Sequence, residues 1–219
     1  MPSERPALDP PVDPALLPAM VAPSRTALVV IDVQQDFLSP DGPAGQWGID
    51  LGVLEPPLQR IEALLPAARA AGVVPVLVRV VTRPESDSEA LKLLHRRKGR
   101  PPDSVALCRA GTQGADYYRI RPEPGDIEIE KVLYSSFVGT DLDAQLKARG
   151  IDTLVVTGFT TECCVDCTVR DAFHLNYNIF LVVDACAAYE EALHWGALNG
   201  LSKNCALLTD SAAVLAAWR

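Results

Sequence analysis

The sequence predicts an α/β protein, a three-layer α/β/α sandwich around a six-stranded, mostly parallel sheet. Two observations carry that expectation. Runs such as Thr26-Ala-Leu-Val-Val-Ile-Asp32 and Asp152-Thr-Leu-Val-Val-Thr-Gly158 are continuously apolar rather than alternating, which marks strands buried on both faces. Segments with helical spacing separate these runs, and strand–helix–strand order builds right-handed crossovers and parallel pairing.

The elements follow in chain order. Residues 1–24 are proline-rich and aperiodic. They are expected to form neither a helix nor a central strand, and to lie as an arm on the body or on a neighbouring subunit. Residues 25–219 are expected to form one domain. Its first strand spans residues 26–32. Residues 54–71 repeat Leu54, Leu58, Ile61, Leu64, Leu65 and Ala68 at helical spacing and stop at Gly72, a helix with its terminating glycine. Residues 73–81 are a β-branched second strand. Residues 83–124 are polar and irregular, with a short helical candidate at 88–96. An insertion this long is read as a lid or an intersubunit segment. The third strand is expected at 126–132, then a helix at 141–149 with Thr140 as its N-cap. A fourth strand at 152–158, a helix at 163–175, a fifth strand at 178–183 and a helix at 190–201 follow. A sixth strand at 205–208 and a helix at 211–218 complete the pattern.

Composition narrows the function. The 219 residues carry a formal charge of -8, against the basic face that phosphate contacts need, so no nucleic-acid partner is expected. No apolar run approaches the length of a membrane span, so no membrane partner is expected. The N-terminus has no apolar core of a signal peptide. The six cysteines, Cys108, Cys163, Cys164, Cys167, Cys186 and Cys205, are therefore read as free thiols of a cytoplasmic protein rather than a disulfide framework.

In a parallel sheet, ligands bind beyond the carboxyl ends of the strands, which directs attention to three residues or segments there. Asp32 closes an apolar run, where a carboxylate needs a partner or a function. Lys131 closes the third strand in a chain with five lysines and fifteen arginines; a lysine suits a point charge of adjustable pKa. Strand four runs through Gly158 into Phe-Thr-Thr-Glu-Cys-Cys-Val-Asp-Cys. A cysteine at the start of the following helix faces free N–H groups and the positive end of the dipole. Both favour a thiolate, and the same N–H groups can hold an oxyanion. From spacing alone three readings stay open for these cysteines: a nucleophile, buried packing thiols, or a redox or metal site built on Cys163, Cys164 and Cys167.

Together, Leu-Val-Val-Ile-Asp-Val-Gln-Gln-Asp-Phe, Glu-Lys-Val-Leu-Tyr-Ser-Ser-Phe-Val-Gly-Thr-Asp-Leu and Thr-Gly-Phe-Thr-Thr-Glu-Cys-Cys-Val-Asp-Cys-Thr-Val-Arg-Asp-Ala resemble the isochorismatase-like cysteine hydrolases, over residues 24–215. The tail Val182-Val-Asp-Ala-Cys-Ala-Ala188 fits too. The resemblance implies an Asp–Lys–Cys triad at Asp32, Lys131 and Cys164, with Cys164 chosen over Cys163 because Thr161 and Cys164-Val165 match the family register. It also implies a cis peptide at Phe159–Thr160 and an oxyanion hole from the Thr160 and Cys164 N–H groups. Phe37, Trp47, Tyr134 and Thr161 are candidate substrate-lining residues.

The implied activity is hydrolysis of a C–N bond in a small linear amide, ureido or N-carbamoyl compound through a cysteine thioester. Arg121-Pro-Glu-Pro-Gly-Asp-Ile is similar to ureidoacrylate, biuret and N-carbamoyl amidohydrolases. An isochorismatase-type vinyl-ether hydrolase is the alternative, and a redox or metal-binding thiol protein the alternative of another class. Nicotinamidases of this superfamily bind metal through an Asp-x-His motif. Thr82-Arg83-Pro84 stands there instead, so no metal and no other cofactor is expected. A homo-oligomer, dimer or tetramer, is implied by the family. Arg83, Arg96, Arg97, Arg100, Arg109, Arg119 and Arg121 are candidates to hold a substrate carboxylate.

Overall fold

In the computed structural model, which describes residues 6–219, six parallel strands form one sheet in the order β3-β2-β1-β4-β5-β6. They are β1 (Thr26–Ile31), β2 (Val74–Val80), β3 (Ile127–Lys131), β4 (Thr153–Phe159), β5 (Asn178–Ala187) and β6 (Leu207–Thr209). The helices, in chain order, are α1 (Leu17–Met20), α2 (Gln35–Leu38), α3 (Pro43–Gln46), α4 (Glu55–Ala71), α5 (Glu89–Arg97), α6 (Leu142–Ala148), α7 (Asp166–His174), α8 (Glu191–Asn204) and α9 (Ser211–Ala217). The sheet is wholly parallel.

Burial on both faces follows from the unbroken apolar runs. Every residue of β1 is buried. Its odd positions Ala27, Val29 and Ile31 share one core with Leu142, Leu146, Val169, Leu198 and Leu201. Its even positions Leu28 and Val30 share the other with Leu58, Ile61, Leu64, Leu65, Val214 and Trp218. Alternate residues of one strand thus serve two helix layers.

Several boundaries differ from expectation for local reasons. The proline-rich segment does form a helical turn, α1. Its proline stands at the first positions of the turn, where a missing N–H leaves no intrahelical bond unmade. The arm is laid on the body: the Val12 N–H donates to Leu208 O at 2.9 Å, Asp9 pairs with Lys203, and Leu17 and Val21 are fully buried. Residues 1–5 of the expected arm lie outside the described residues.

Asp141 rather than Thr140 holds the N-cap position of α6, without a side-chain bond, while the Thr140 hydroxyl donates back to Ser136 O at 2.7 Å and accepts the Leu142 N–H at 3.4 Å. Strand β5 runs four residues beyond the expected Val183. Asp184 interrupts the apolar run, but its carboxylate accepts the Ser211 N–H and hydroxyl at 2.7 and 2.6 Å. A register shift between Val156 and Gly158 then lets Cys186 and Ala187 pair with Gly158 and Phe159. The helix expected from residue 163 opens as a wider turn, Thr161–Val165, in which the Val165 N–H reaches Thr160 O at 3.2 Å. Such π-type turns are rare and concentrate at functional sites.

Candidate active site

Three strand ends converge at the carboxyl edge of the sheet. Beyond β1 the chain turns sharply: Asp32 has φ 54° and its N–H donates to Val78 O at 2.9 Å. A non-glycine residue in this region is held there by its surroundings. Two residues later Gln34 is fully buried. Its amide donates to Val80 O and Ala115 O at 2.8 and 3.0 Å and accepts the Val80 N–H at 2.7 Å. Asp36 accepts the Cys108 N–H at 2.6 Å. The turn after β1 is thereby fastened to the end of β2 and to the insertion.

Lys131 ends β3 with its side chain wholly buried. Its Nζ donates to Asp32 Oδ2 at 2.8 Å and to Leu133 O at 2.9 Å. Strand β4 ends at Phe159, and the Phe159–Thr160 peptide bond is cis. Gly158, at φ 123°, has no room for a side chain: a Cβ would lie 2.2 Å from Ile31 O. That close approach brings β4 against β1 immediately before the segment carrying Asp32 and the turn carrying Cys164. Cys164 is buried beside Asp32 and Lys131, close enough for both charges to act on its thiol. Asp32 Oδ1 is buried and has no hydrogen-bond partner among the described residues.

The electrostatics follow from burial without water. Burial pushes the Asp32 carboxyl up, and the Lys131 charge opposes it. Burial is the strongest single influence on Lys131 and would discharge it, but Asp32 and Cys164 acting together hold its pKa above the ordinary lysine value. Cys164 is held well above the ordinary cysteine value by its hydrogen bond with Cys163, by burial and by the Asp32 charge, with Lys131 opposing. Cys163 is correspondingly lowered, chiefly by the same hydrogen bond. Burial and the Asp32 charge thus favour the thiol form of Cys164, whereas the helix start alone favours a thiolate.

The structure brings Asp32, Lys131 and Cys164 together, with Tyr134 in the loop that Lys131 fastens through Leu133. Tyr134 is partly exposed at the rim, its hydroxyl pKa raised by burial and by the three nearby thiols. Phe37 is half-buried and its carbonyl accepts the Tyr189 hydroxyl at 3.0 Å. Trp47 stands on the surface, 59% exposed. Thr161 is fully buried, its hydroxyl 2.8 Å from His194 Nδ1. Cys163, Cys167 and Cys205 are partly buried and Cys108 and Cys186 fully so, and all six cysteines are free. Among the described residues no group of three or more His, Cys, Asp or Glu is arranged to hold a metal ion.

Sequence reasoning passed over Gln34, Asp36 and Glu162. The first two sit inside the Asp-Val-Gln-Gln-Asp-Phe motif, where polar residues so near an apolar strand end were the available signal. Glu162 is half-buried between Thr161 and the cysteines, accepts the Thr160 hydroxyl at 3.1 Å and leaves Oε2 buried without a partner among the described residues.

Residues 26–213 match the isochorismatase domain model, and the chain belongs to the isochorismatase family. A ureidoacrylate amidohydrolase of Methylobacterium radiotolerans is 36% identical over 210 residues, spanning 90% of this chain and 80% of that protein. Another, of Stutzerimonas stutzeri, is 35% identical over 79% of this chain and 76% of its own length. Among solved structures, a cysteine hydrolase from Pseudomonas syringae superposes with a TM-score of 0.79 at 26% identity, over 98% of both chains. An N-carbamoylsarcosine amidase from Thermoplasma acidophilum superposes with a TM-score of 0.68 at 30% identity, over 85% of this chain and 96% of that one.

Proposed function

We propose that this protein is a cysteine amidohydrolase that cleaves a C–N bond of a small ureido acid and releases ammonia. The observation that carries the reading is a buried Asp32–Lys131 ion pair beside the Cys164 thiol, in a member of a family whose relatives include ureidoacrylate amidohydrolases. A buried carboxylate with one oxygen held by lysine and the other unpartnered is a base aimed at its neighbour.

In this reading Cys164 Sγ attacks the carbamoyl carbonyl as its proton passes to Asp32 Oδ1. Lys131 holds Oδ2 and favours the ionised carboxylate before attack, countering burial. The Thr160 and Cys164 N–H groups receive the oxyanion, where fixed dipoles away from water act most strongly. Asp32 returns the proton to the leaving nitrogen, ammonia departs to leave a thiocarbamate on Cys164 Sγ, and water hydrolyses it to free the thiol and a carbamic acid. Residues 83–124 cover the site. The bonds from Cys108 to Asp36 and from Gln34 to Ala115, and the bridge between Thr82 and Arg109, support that role.

The test is ammonia release from ureido acids, biuret, N-carbamoyl amino acids, nicotinamide and simple amides, by the wild type and by Cys164→Ala. Release from ureido acids that disappears in Cys164→Ala is the expected result. Turnover by Cys164→Ala at the wild-type rate, or none by the wild type on any ureido or N-carbamoyl compound, overturns the reading.

A further inference from the structure

In a regular α-helix each N–H is taken by the carbonyl four residues back, so the Cys164 N–H would be spent on Thr160 O. The turn Thr161–Val165 avoids this. Thr160 O accepts the Cys163 N–H at 3.1 Å and the Val165 N–H at 3.2 Å, and the Cys164 N–H between them is passed over. The bond given up is the one whose donor an oxyanion needs. A turn of this kind is rare, and something outside it must hold it open.

The hold comes from α8. Thr161 opens the turn with its side chain fully buried, and its hydroxyl lies 2.8 Å from His194 Nδ1. His194 stands in the first turn of α8, where its own N–H donates to Glu190 O at 3.2 Å. Its ring meets that of Trp195 edge-on, with centroids 5.0 Å apart, and the Trp195 indole N–H donates to Glu191 Oε1 at 3.1 Å. The imidazole is thus seated on α8 and reaches across to the nucleophile turn. A buried hydroxyl that loses its partner costs free energy, so the Thr161–His194 bond fixes the first residue of the turn to a separate helix. The other side-chain bond there, from the Thr160 hydroxyl to Glu162 Oε1 at 3.1 Å, joins two neighbours of the same segment and ties it to nothing outside.

We infer that His194, acting through the Thr161 hydroxyl, is a positioning residue: it keeps the nucleophile turn wide, so that the Cys164 N–H stays off Thr160 O and remains available to the oxyanion. Without the bond, Thr161 is released and the turn tightens toward the α-helical pattern, which satisfies the Cys164 N–H internally and takes it from the substrate. The Asp32–Lys131 pair keeps its place, because β1 and β3 hold it. This inference rests on the cysteine-hydrolase reading and adds the residue that keeps its oxyanion donor free.

Steady-state ammonia release from a ureido acid, measured beside alkylation of Cys164 by iodoacetamide, tests it. Alkylation is a displacement at saturated carbon that develops no oxyanion, so it reports the thiol alone. In His194→Leu and in Thr161→Val, kcat falls about 10- to 100-fold, approaching the loss of one oxyanion donor. KM and the alkylation rate stay near wild type, because the lost interaction is made only in the transition state. The double variant loses no more than either single one, since both remove the same bond. Thr161→Ser, which keeps the hydroxyl, recovers most of the kcat that Thr161→Val loses. Unchanged kcat in both single variants, losses that multiply in the double variant, alkylation that falls in parallel with kcat, or equal losses in Thr161→Ser and Thr161→Val overturn the inference and leave the hydrolase reading intact. A wild type inactive on every ureido and N-carbamoyl compound overturns the hydrolase reading and this inference with it.

Discussion

The two ends of the same parallel strands are built on opposite principles. At the amino end, a cleft of about 550 Å³ is lined by Arg25, Thr153, Asn178, Lys203 and Leu207 among others. Its charges are exposed and matched: Arg25 with Asp152, and Lys203 with Asp9. At the carboxyl end the charges are removed from water, and Asp32 and Lys131 are 1% and 2% exposed. The amino end has room and screened ion pairs. The carboxyl end has unscreened charge and a thiol. Exposed pairs contribute little because water competes for them, whereas a buried pair is worth its arrangement only if each member keeps its partner. In the proposed reading, burial of charge rather than volume locates the chemistry.

The largest effect that separates the two ends is loss of the nucleophile. Cys164→Ala lowers ammonia release by about 10⁴-fold or more, as removal of a covalent nucleophile does, with little change in denaturant midpoint. Cys163→Ala, beside it, keeps most of the activity. Equal losses in the two variants would break the assignment of Cys164.

The next effect is on stability. Asp32→Asn or Lys131→Met leaves an uncompensated group in the interior, at a cost of about 3–5 kcal/mol each. The double variant loses less than the sum of the two, since neither charge is then stranded. Urea unfolding of the four proteins reads this cycle. Strict additivity would mean that the two groups do not stabilise each other.

A smaller effect is on pH. Because burial raises the Asp32 carboxyl above its usual 3.8 in the folded state, the acidic limb of kcat/KM lies above the ordinary carboxylate range. The sign for stability follows. The folded state binds this proton more tightly than the unfolded chain, so the Asp32 contribution is present below the ordinary value and is lost as pH rises through the folded one. The stability difference between wild type and Asp32→Asn therefore changes across that window. Unfolding midpoints at a series of pH values check it, and a difference independent of pH would sink it.

The site and the sheet were legible to different depths. Strands β1 and β4 read directly because burial on two faces leaves unbroken apolar runs, and Gly72 marks the end of α4 because its φ of 80° suits glycine. What sequence could not give were effects created by partners distant in the chain. Asp184 reads as a strand breaker until Ser211 stands beside it. Thr140 reads as the cap residue, but Asp141 takes that position and the Thr140 hydroxyl is shared between Ser136 O and the Leu142 N–H. The cysteine turn reads as a thiolate site when only its own helix is considered. Asp32, 132 positions away in sequence but adjacent in space, favours the thiol form. Asp32 and Lys131 were visible as charges at apolar strand ends, but their bond spans 99 residues and is a product of the strand order β3-β2-β1.

The smallest expected effect tests the amino end. Arg25→Gln removes a pair that water already screens, at the far end of β1 from Asp32. Its neighbour Asp152 then relaxes into solvent rather than being stranded, because both side chains are nearly half exposed. No group of the Asp32–Lys131–Cys164 cluster changes partner. Ammonia release, the pH limb and the reactivity of Cys164 toward iodoacetamide therefore stay at wild-type values, with at most a slight drop in Tm. A marked loss of kcat in Arg25→Gln would mean that the two ends are coupled through the sheet, and that buried charge alone does not locate the chemistry.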